Sequence, residues 1–173
     1  VTLVVGLLVI FGGQYALKTF YQEEPFKKRV LSIEGIKEVE LVDGEENRQV
    51  YLTVNPEVDL KDAYQQTNEL AKDMLRGKVE VKISNEADGQ LKDIYHNMHF
   101  AIYEGIASGK FTKMANDITV VGQENYVENL NVEVDNDNVY LKFTRDGKVY
   151  TEIVPRKTQQ IATVLQTLEG GES

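Results

Sequence analysis

The spacing of hydrophobic and polar positions changes several times along the chain. Lys37 to Val42 alternates, with Val39 and Leu41 on one face. The polar run Asp43-Gly44-Glu45-Glu46-Asn47 follows. Gln49 to Val54 then alternates again, with Val50, Leu52 and Val54 inward and Tyr51 and Thr53 outward. Two such runs around a short polar turn predict a β-hairpin. Asp59 is a suitable helix N-cap. After it, Leu60, Ala63, Tyr64, Thr67, Leu70, Ala71, Met74 and Leu75 recur at three- and four-residue steps. That spacing predicts an amphipathic helix, closed at Gly77. Val79, Val81 and Ile83 alternate as a third strand. Ahead of the hairpin, Pro25 sits where a first helical turn tolerates it, and Phe26 to Ile33 predicts a short helix ending at Gly35. Residues 25–84 therefore read as an αββαβ unit, ferredoxin-like, with the long helix across one face of a three-stranded sheet.

A polar joint, Asn85 to Gly89, leads into a second unit over 86–157. Leu91, Ile94, Tyr95, Met98, Ile102 and Ile106 mark a long helix that Gly109 ends. Phe111, Met114, Ala115 and Ile118 predict a second, shorter helix. Leu130-Val132-Val134, Val139-Leu141-Phe143 and Val149-Thr151-Ile153 read as the apolar positions of three strands. The turns Asp135-Asn136-Asp137-Asn138 and Arg145-Asp146-Gly147 join them into an antiparallel meander, and Pro155 stops the last strand. Ile161, Val164, Leu165 and Leu168 predict a short C-terminal helix within 158–173. The fold class is α+β.

Residues 1–22 stand apart. Val1 to Gly13 reads VTLVVGLLVIFGG, and the first charge is Lys18. Thirteen helical residues reach about 20 Å, short of the roughly 30 Å hydrocarbon core. Gln14 to Tyr21 completes a span if Tyr15, Phe20 and Tyr21 sit at the interface and Lys18 snorkels. The segment therefore reads as a transmembrane anchor. A signal peptide needs small residues before a cut, and Gln14-Tyr15-Ala16 is a poor site. A buried core helix would show a polar face, and none is present. Lys27, Lys28 and Arg29 after the span favour a cytoplasmic C-terminal side. An anchor this close to the N-terminus, ahead of one domain, favours an extracytoplasmic one. The second is the expectation here: a single-pass protein of the cell membrane with its C-terminal domain outside.

Charge and cysteine content narrow the partners. Nineteen Lys and Arg face 28 Asp and Glu, a net charge of −9. So acidic a chain repels phosphate backbones, which argues against nucleic acid as a partner. There is no cysteine, which excludes disulfides, thiolate chemistry and Cys-based zinc sites.

Ile33-Glu34-Gly35-Ile36-Lys37-Glu38-Val39, the hairpin, Leu52-Thr53-Val54-Asn55-Pro56 and Leu60-Lys61-Asp62-Ala63-Tyr64 together resemble two families of small αββαβ modules. One is the C-terminal dimerisation domain of cation diffusion facilitator transporters. The other is the ring-building motif of membrane-anchored secretion and sporulation-channel proteins. The resemblance covers about a third of the chain and rests on pattern and turn residues. The transporter domains carry metal-binding histidines on these strands. Here comparable positions hold Glu40 and Lys82, and residues 25–84 contain no His, so metal regulation does not carry over. A single anchor before such a module looks more like the ring-building arrangement, which implies self-assembly.

Reactive constellations are few. The two histidines, His96 and His99, follow Asp93 as D-x-x-H-x-x-H. Three-residue steps on a helix spread these side chains, so a metal would bridge two of them and still need ligands from elsewhere. Surface histidines are the simpler reading, with Asp93, His96 and His99 kept as metal candidates. Phe100 and Tyr103 lie on another side of the same helix from its core stripe. Such a helix is either sandwiched inside the protein or offers a face to a partner. The sandwich is favoured, because the meander needs something to pack on, and Phe100 and Tyr103 are the candidate interaction residues. Asp135 and Asp137 lack the glycine and distal glutamate of a calcium loop and read as a turn. Ser32, Ser84 and Ser108 have no nucleophile-elbow context, and no nucleotide-binding glycine pattern occurs.

The expected function is therefore non-enzymatic: an assembly or scaffold component of a bacterial-type envelope, held by its anchor, acting through self-association or a protein partner and using no cofactor. The alternative is a monomeric extracytoplasmic module that senses a ligand or binds the envelope.

Overall fold

A computed structural model describes residues 23–44, 47–85 and 89–157. Over these residues the protein is α+β, with four helices and two three-stranded sheets. The chain divides into two compact units, Val1–Asn85 and Glu86–Ser173.

In the first unit, α1 (Glu24–Val30) precedes the strands β1 (Ile36–Asp43) and β2 (Arg48–Val54). Helix α2 (Leu60–Met74) and strand β3 (Val79–Ile83) complete the αββαβ order. β1 and β2 form the antiparallel hairpin, with Val39 opposite Leu52 and Leu41 opposite Val50. β3 pairs parallel to β2, because α2 is the crossover that carries the chain back to the start of the sheet. The sheet order is β1-β2-β3. Phe26 and Val30 of α1, Val50 and Leu52 of β2, Val81 of β3 and Leu60, Ala63 and Ala71 of α2 are buried. Thr67 is also fully buried, and its hydroxyl donates to the Ala63 carbonyl 2.8 Å away. A polar atom buried in this way needs such a partner.

Asp59 caps α2 by accepting from the Asp62 amide at 2.9 Å. The helix ends at Met74, earlier than the expected closure at Gly77. Leu75 turns to extended backbone (φ −103°, ψ 143°) and buries its side chain. Likewise α1 starts at Glu24 and ends at Val30, ahead of the expected Ile33. Gly35 takes φ +86° beside Val58, and its carbonyl accepts from the Asn55 amide at 2.7 Å. This closes the turn between α1 and β1 against the turn that leads to α2. Arg48 ties the other end of the sheet together. Its Nε donates to Asp43 at 2.7 Å, and its Nη2 lies 3.6 Å from Glu23.

In the second unit, α3 (Gly89–Ser108) and α4 (Phe111–Glu124) form a helical hairpin. Gly109, at φ +70°, makes the turn between them. The strands β4 (Asn129–Val134), β5 (Asn138–Arg145) and β6 (Lys148–Pro155) form the meander in that order. The core joins Leu91, Ile94, Met98 and Ile102 of α3 to Met114 and Ile118 of α4, and both to Val139, Leu141 and Phe143 of β5. α4 runs 14 residues, longer than Phe111 to Ile118 suggested. Val121 and Leu130 extend the packed layer past Ile118, which keeps the helix going.

Val149, Thr151 and Ile153 mark the strand, but Tyr150 and Val154 are the β6 residues in the core cluster, and Thr151 is buried on the other face. The cause is register. Asp146 and Gly147, both at positive φ (51° and 73°), form a two-residue turn that sets Arg145 opposite Lys148. Phe143 then faces Tyr150, Leu141 faces Glu152 and Val139 faces Val154. Directly paired residues share a face, so Tyr150 and Val154 lie on the core face with Phe143 and Val139.

Among the described residues no helix is long and apolar enough to cross a membrane. The anchor expected over 1–22 and the helix expected over 158–173 lie outside the described residues.

Candidate functional site

Helix α3 carries two apolar faces, and only one is covered. Leu91, Ile94, Met98, Ile102 and Gly105 point into the core of the second unit. Phe100 remains 69% exposed and Tyr103 55% exposed. The expected sandwich is thus overturned for this face. The meander packs on the Leu91–Ile102 stripe, and three strands cover only one side of a helix. From Ile94 to Tyr103 the helix carries no Asp, Glu, Lys or Arg.

His96 and His99 belong to the same exposed face. Their ring centroids lie 4.6 Å apart, with Phe100 4.0 Å from His99. Tyr103 meets His99 edge-on at 6.0 Å, and Phe100 meets His96 edge-on at 6.3 Å. The result is a strip of four rings in which His99 lies 4.0–6.0 Å from each of the other three. His99 Nδ1 hydrogen-bonds the carbonyl of His96. A carbonyl only accepts, so Nδ1 is the donor in this contact. Among the described residues no group of three or more His, Asp or Glu is placed to hold a metal ion. Asp93 makes no ion pair among the described residues and joins neither histidine.

Beside the strip lies a half-buried polar cluster that the sequence reading did not place. Tyr95 stacks on Tyr150 at 5.2 Å, and Tyr150 stacks on Phe143 at 5.2 Å. Tyr95 is also 6.4 Å from His99, so the stack leads out to the exposed strip. The Tyr150 hydroxyl donates to Glu152 Oε2 at 2.9 Å. Burial pushes the Glu152 carboxyl above the ordinary carboxylate range, and the Tyr150 hydrogen bond offsets only part of that. Burial, and then the Glu152 charge, push both tyrosine hydroxyls upward, so they stay protonated donors. The signal for this cluster was available: counting back from the Asp146-Gly147 turn puts Tyr150 and Glu152 on the face of Phe143 and Leu141.

The acidic turn between β4 and β5 is structurally saturated. One Asp135 oxygen accepts from the Asp137 and Asn138 amides, each at 2.7 Å. The other accepts from the Tyr140 hydroxyl at 2.7 Å. The Arg156 guanidinium donates to the Asp135 carbonyl and lies 4.5 Å over the Phe111 ring. This is the Asx-type turn that aspartate at such a position forms.

No protein-family model matches this chain, and no curated protein or solved structure matches it.

Proposed function

We propose that this protein is a membrane-anchored, non-enzymatic assembly component of a bacterial-type envelope. Residues 1–22 hold it in the membrane as a single pass, and its two α+β units lie on the extracytoplasmic side. The ferredoxin-like first unit and the α3 face of the second make protein contacts. The observation that carries this reading is the strip of exposed His96, Phe100 and Tyr103 around half-buried His99, on a helix whose other face is already packed. Two aromatic rings left more than half exposed beside each other, with no charge between them, are costly in water and useful in an interface. The apolar run Val1–Gly13 and the resemblance of residues 25–84 to ring-building modules support the same reading.

The test is the absolute mass of the full chain in a mild detergent, measured by light scattering across a wide concentration range. Concentration-dependent oligomers are expected. The double substitution Phe100→Ala with Tyr103→Ala removes two large contact side chains and should weaken association by about tenfold or more, as central aromatic residues do. A strict monomer at every concentration would sink self-assembly as the function.

A further inference from the structure

Among its described residues the first unit carries two surfaces of opposite charge. On α1, burial of Phe26 and Val30 turns Lys27, Lys28 and Arg29 toward solvent. Among the described residues none of these three forms an ion pair. Lys27, Lys28 and the 46%-exposed Leu31 line one shallow groove with Pro25. Lys27 and Lys28 beside an exposed leucine, with Glu24 and Ser32 completing the lining, form a small basic surface in a chain of net charge −9, where a second negatively charged body is attracted rather than repelled.

The complementary surface lies where α2 begins. Glu34, Glu57, Asp59 and Asp62 surround a notch of about 300 Å³, with Gly35, Asn55 and Val58 completing its lining. Asp59 and Asp62 are engaged locally, by the cap and by Gln66 Nε2 at 2.6 Å. Glu34 and Glu57 are exposed, and among the described residues neither is paired. The start of α2 contributes about half a positive charge, far less than four carboxylates, so the notch stays negative.

We propose that the basic groove of α1 in one copy docks on the acidic notch of a second copy, head to tail. This rests on the reading of the chain as an assembly component, and names the surfaces that would do it. One chain carries both halves of the contact, so each docking event leaves one free groove and one free notch. The contact is heterologous and propagates into a ring or an open filament. Complementary charge on a small apolar centre is the usual way such contacts select orientation. An anionic lipid surface would satisfy the groove alone. It would leave the notch unused.

The absence of cysteine permits a direct test on the full chain in mild detergent. Single variants Lys28→Cys and Glu57→Cys are prepared, mixed, and treated with a short thiol crosslinker. The mixed pair is expected to crosslink several-fold more than either variant alone. Equal yields for all three combinations overturn the proposal. In parallel, Lys27→Glu with Lys28→Glu should weaken self-association by about tenfold at low salt. Adding Glu34→Lys and Glu57→Lys to the same chain should restore it. Reversal that leaves the mass unchanged overturns the proposal. If that reversal instead abolishes binding to phosphatidylserine vesicles, α1 is assigned to lipid. If the wild type associates and only Phe100→Ala with Tyr103→Ala weakens it, this contact is wrong and the assembly reading stands. A wild type that is monomeric throughout removes both.

Discussion

Gly105 decides how closely α3 and α4 approach, and adding one methyl group there sets two effects against each other. A Cβ built at Gly105 lies 2.7 Å from both Cβ and Sδ of Met114 and 2.8 Å from its Cγ. Ordinary carbon contacts are about 3.5–4.0 Å, so something must move by about 1 Å. Helix propensity alone favours Ala over Gly by about 1 kcal/mol. Overpacking a filled core costs about 1–3 kcal/mol. The upper part of that range applies, because Met114 is fully buried in the cluster with Ile102 and Ile118. One of the offending atoms is also the Met114 Cβ, which no side-chain rotation clears. Gly105→Ala should therefore destabilise by about 1–2 kcal/mol net. For a unit of this size that lowers Tm by about 4–8 °C per kcal/mol. Thermal unfolding followed by circular dichroism reads it. Met114→Ala combined with Gly105→Ala should show favourable coupling in a double-mutant cycle, since Cγ and Sδ are gone. The rescue should stay incomplete, since Cβ remains. A Gly105→Ala protein as stable as the wild type, or more so, would refute the reasoning, because propensity would then have won.

Glu152 makes stability depend on pH with a definite sign. Its carboxyl is raised in the fold, so the folded state holds the proton more tightly than the unfolded chain. The stabilisation this provides is full below the ordinary carboxylate value and is lost as pH rises through the raised one. Glu152→Gln should flatten that decline and raise the melting temperature at neutral pH; an unchanged slope between mildly acidic and neutral pH would contradict it. Gly35→Ala meets both strain and overlap, with φ +86° and a Cβ only 2.5 Å from Val58 Cγ2 and 3.0 Å from the Val58 Cα. The left-handed conformation alone costs about 1–2 kcal/mol, and the backbone contact adds to it. Chemical denaturation should show a loss of about 2–4 kcal/mol; a loss under about 1 kcal/mol would mean the turn re-forms elsewhere.

The local elements were legible because each carries its signal within a few residues. The α2 stripe from Leu60 to Leu75, its Asp59 cap and the hairpin across Asp43–Asn47 all follow from period, cap and turn chemistry. So did the α+β class, the αββαβ order and the three-strand meander. The turn role of Asp135 also follows from local chemistry, since its carboxylate reaches amides two and three residues on. Phe100 and Tyr103 were legible as lying off the core stripe of α3, and the packing that leaves them exposed was not.

What the chain order could not supply is which of two similar faces is covered. β6 alternates Val149, Thr151 and Ile153 with Tyr150, Glu152 and Val154, and both sets look buriable in isolation. The cross-strand register set by Asp146 and Gly147 placed Tyr150 and Val154 in the core cluster, while Thr151 is buried on the other face. Helix α3 offered two apolar faces, and a three-stranded meander is wide enough to take only one. Period and capping are properties of neighbouring residues, so sequence alone determined the elements. Register and coverage depend on partners many residues away, so only tertiary structure decided that Glu152 lies half-buried and that Phe100 and Tyr103 face water.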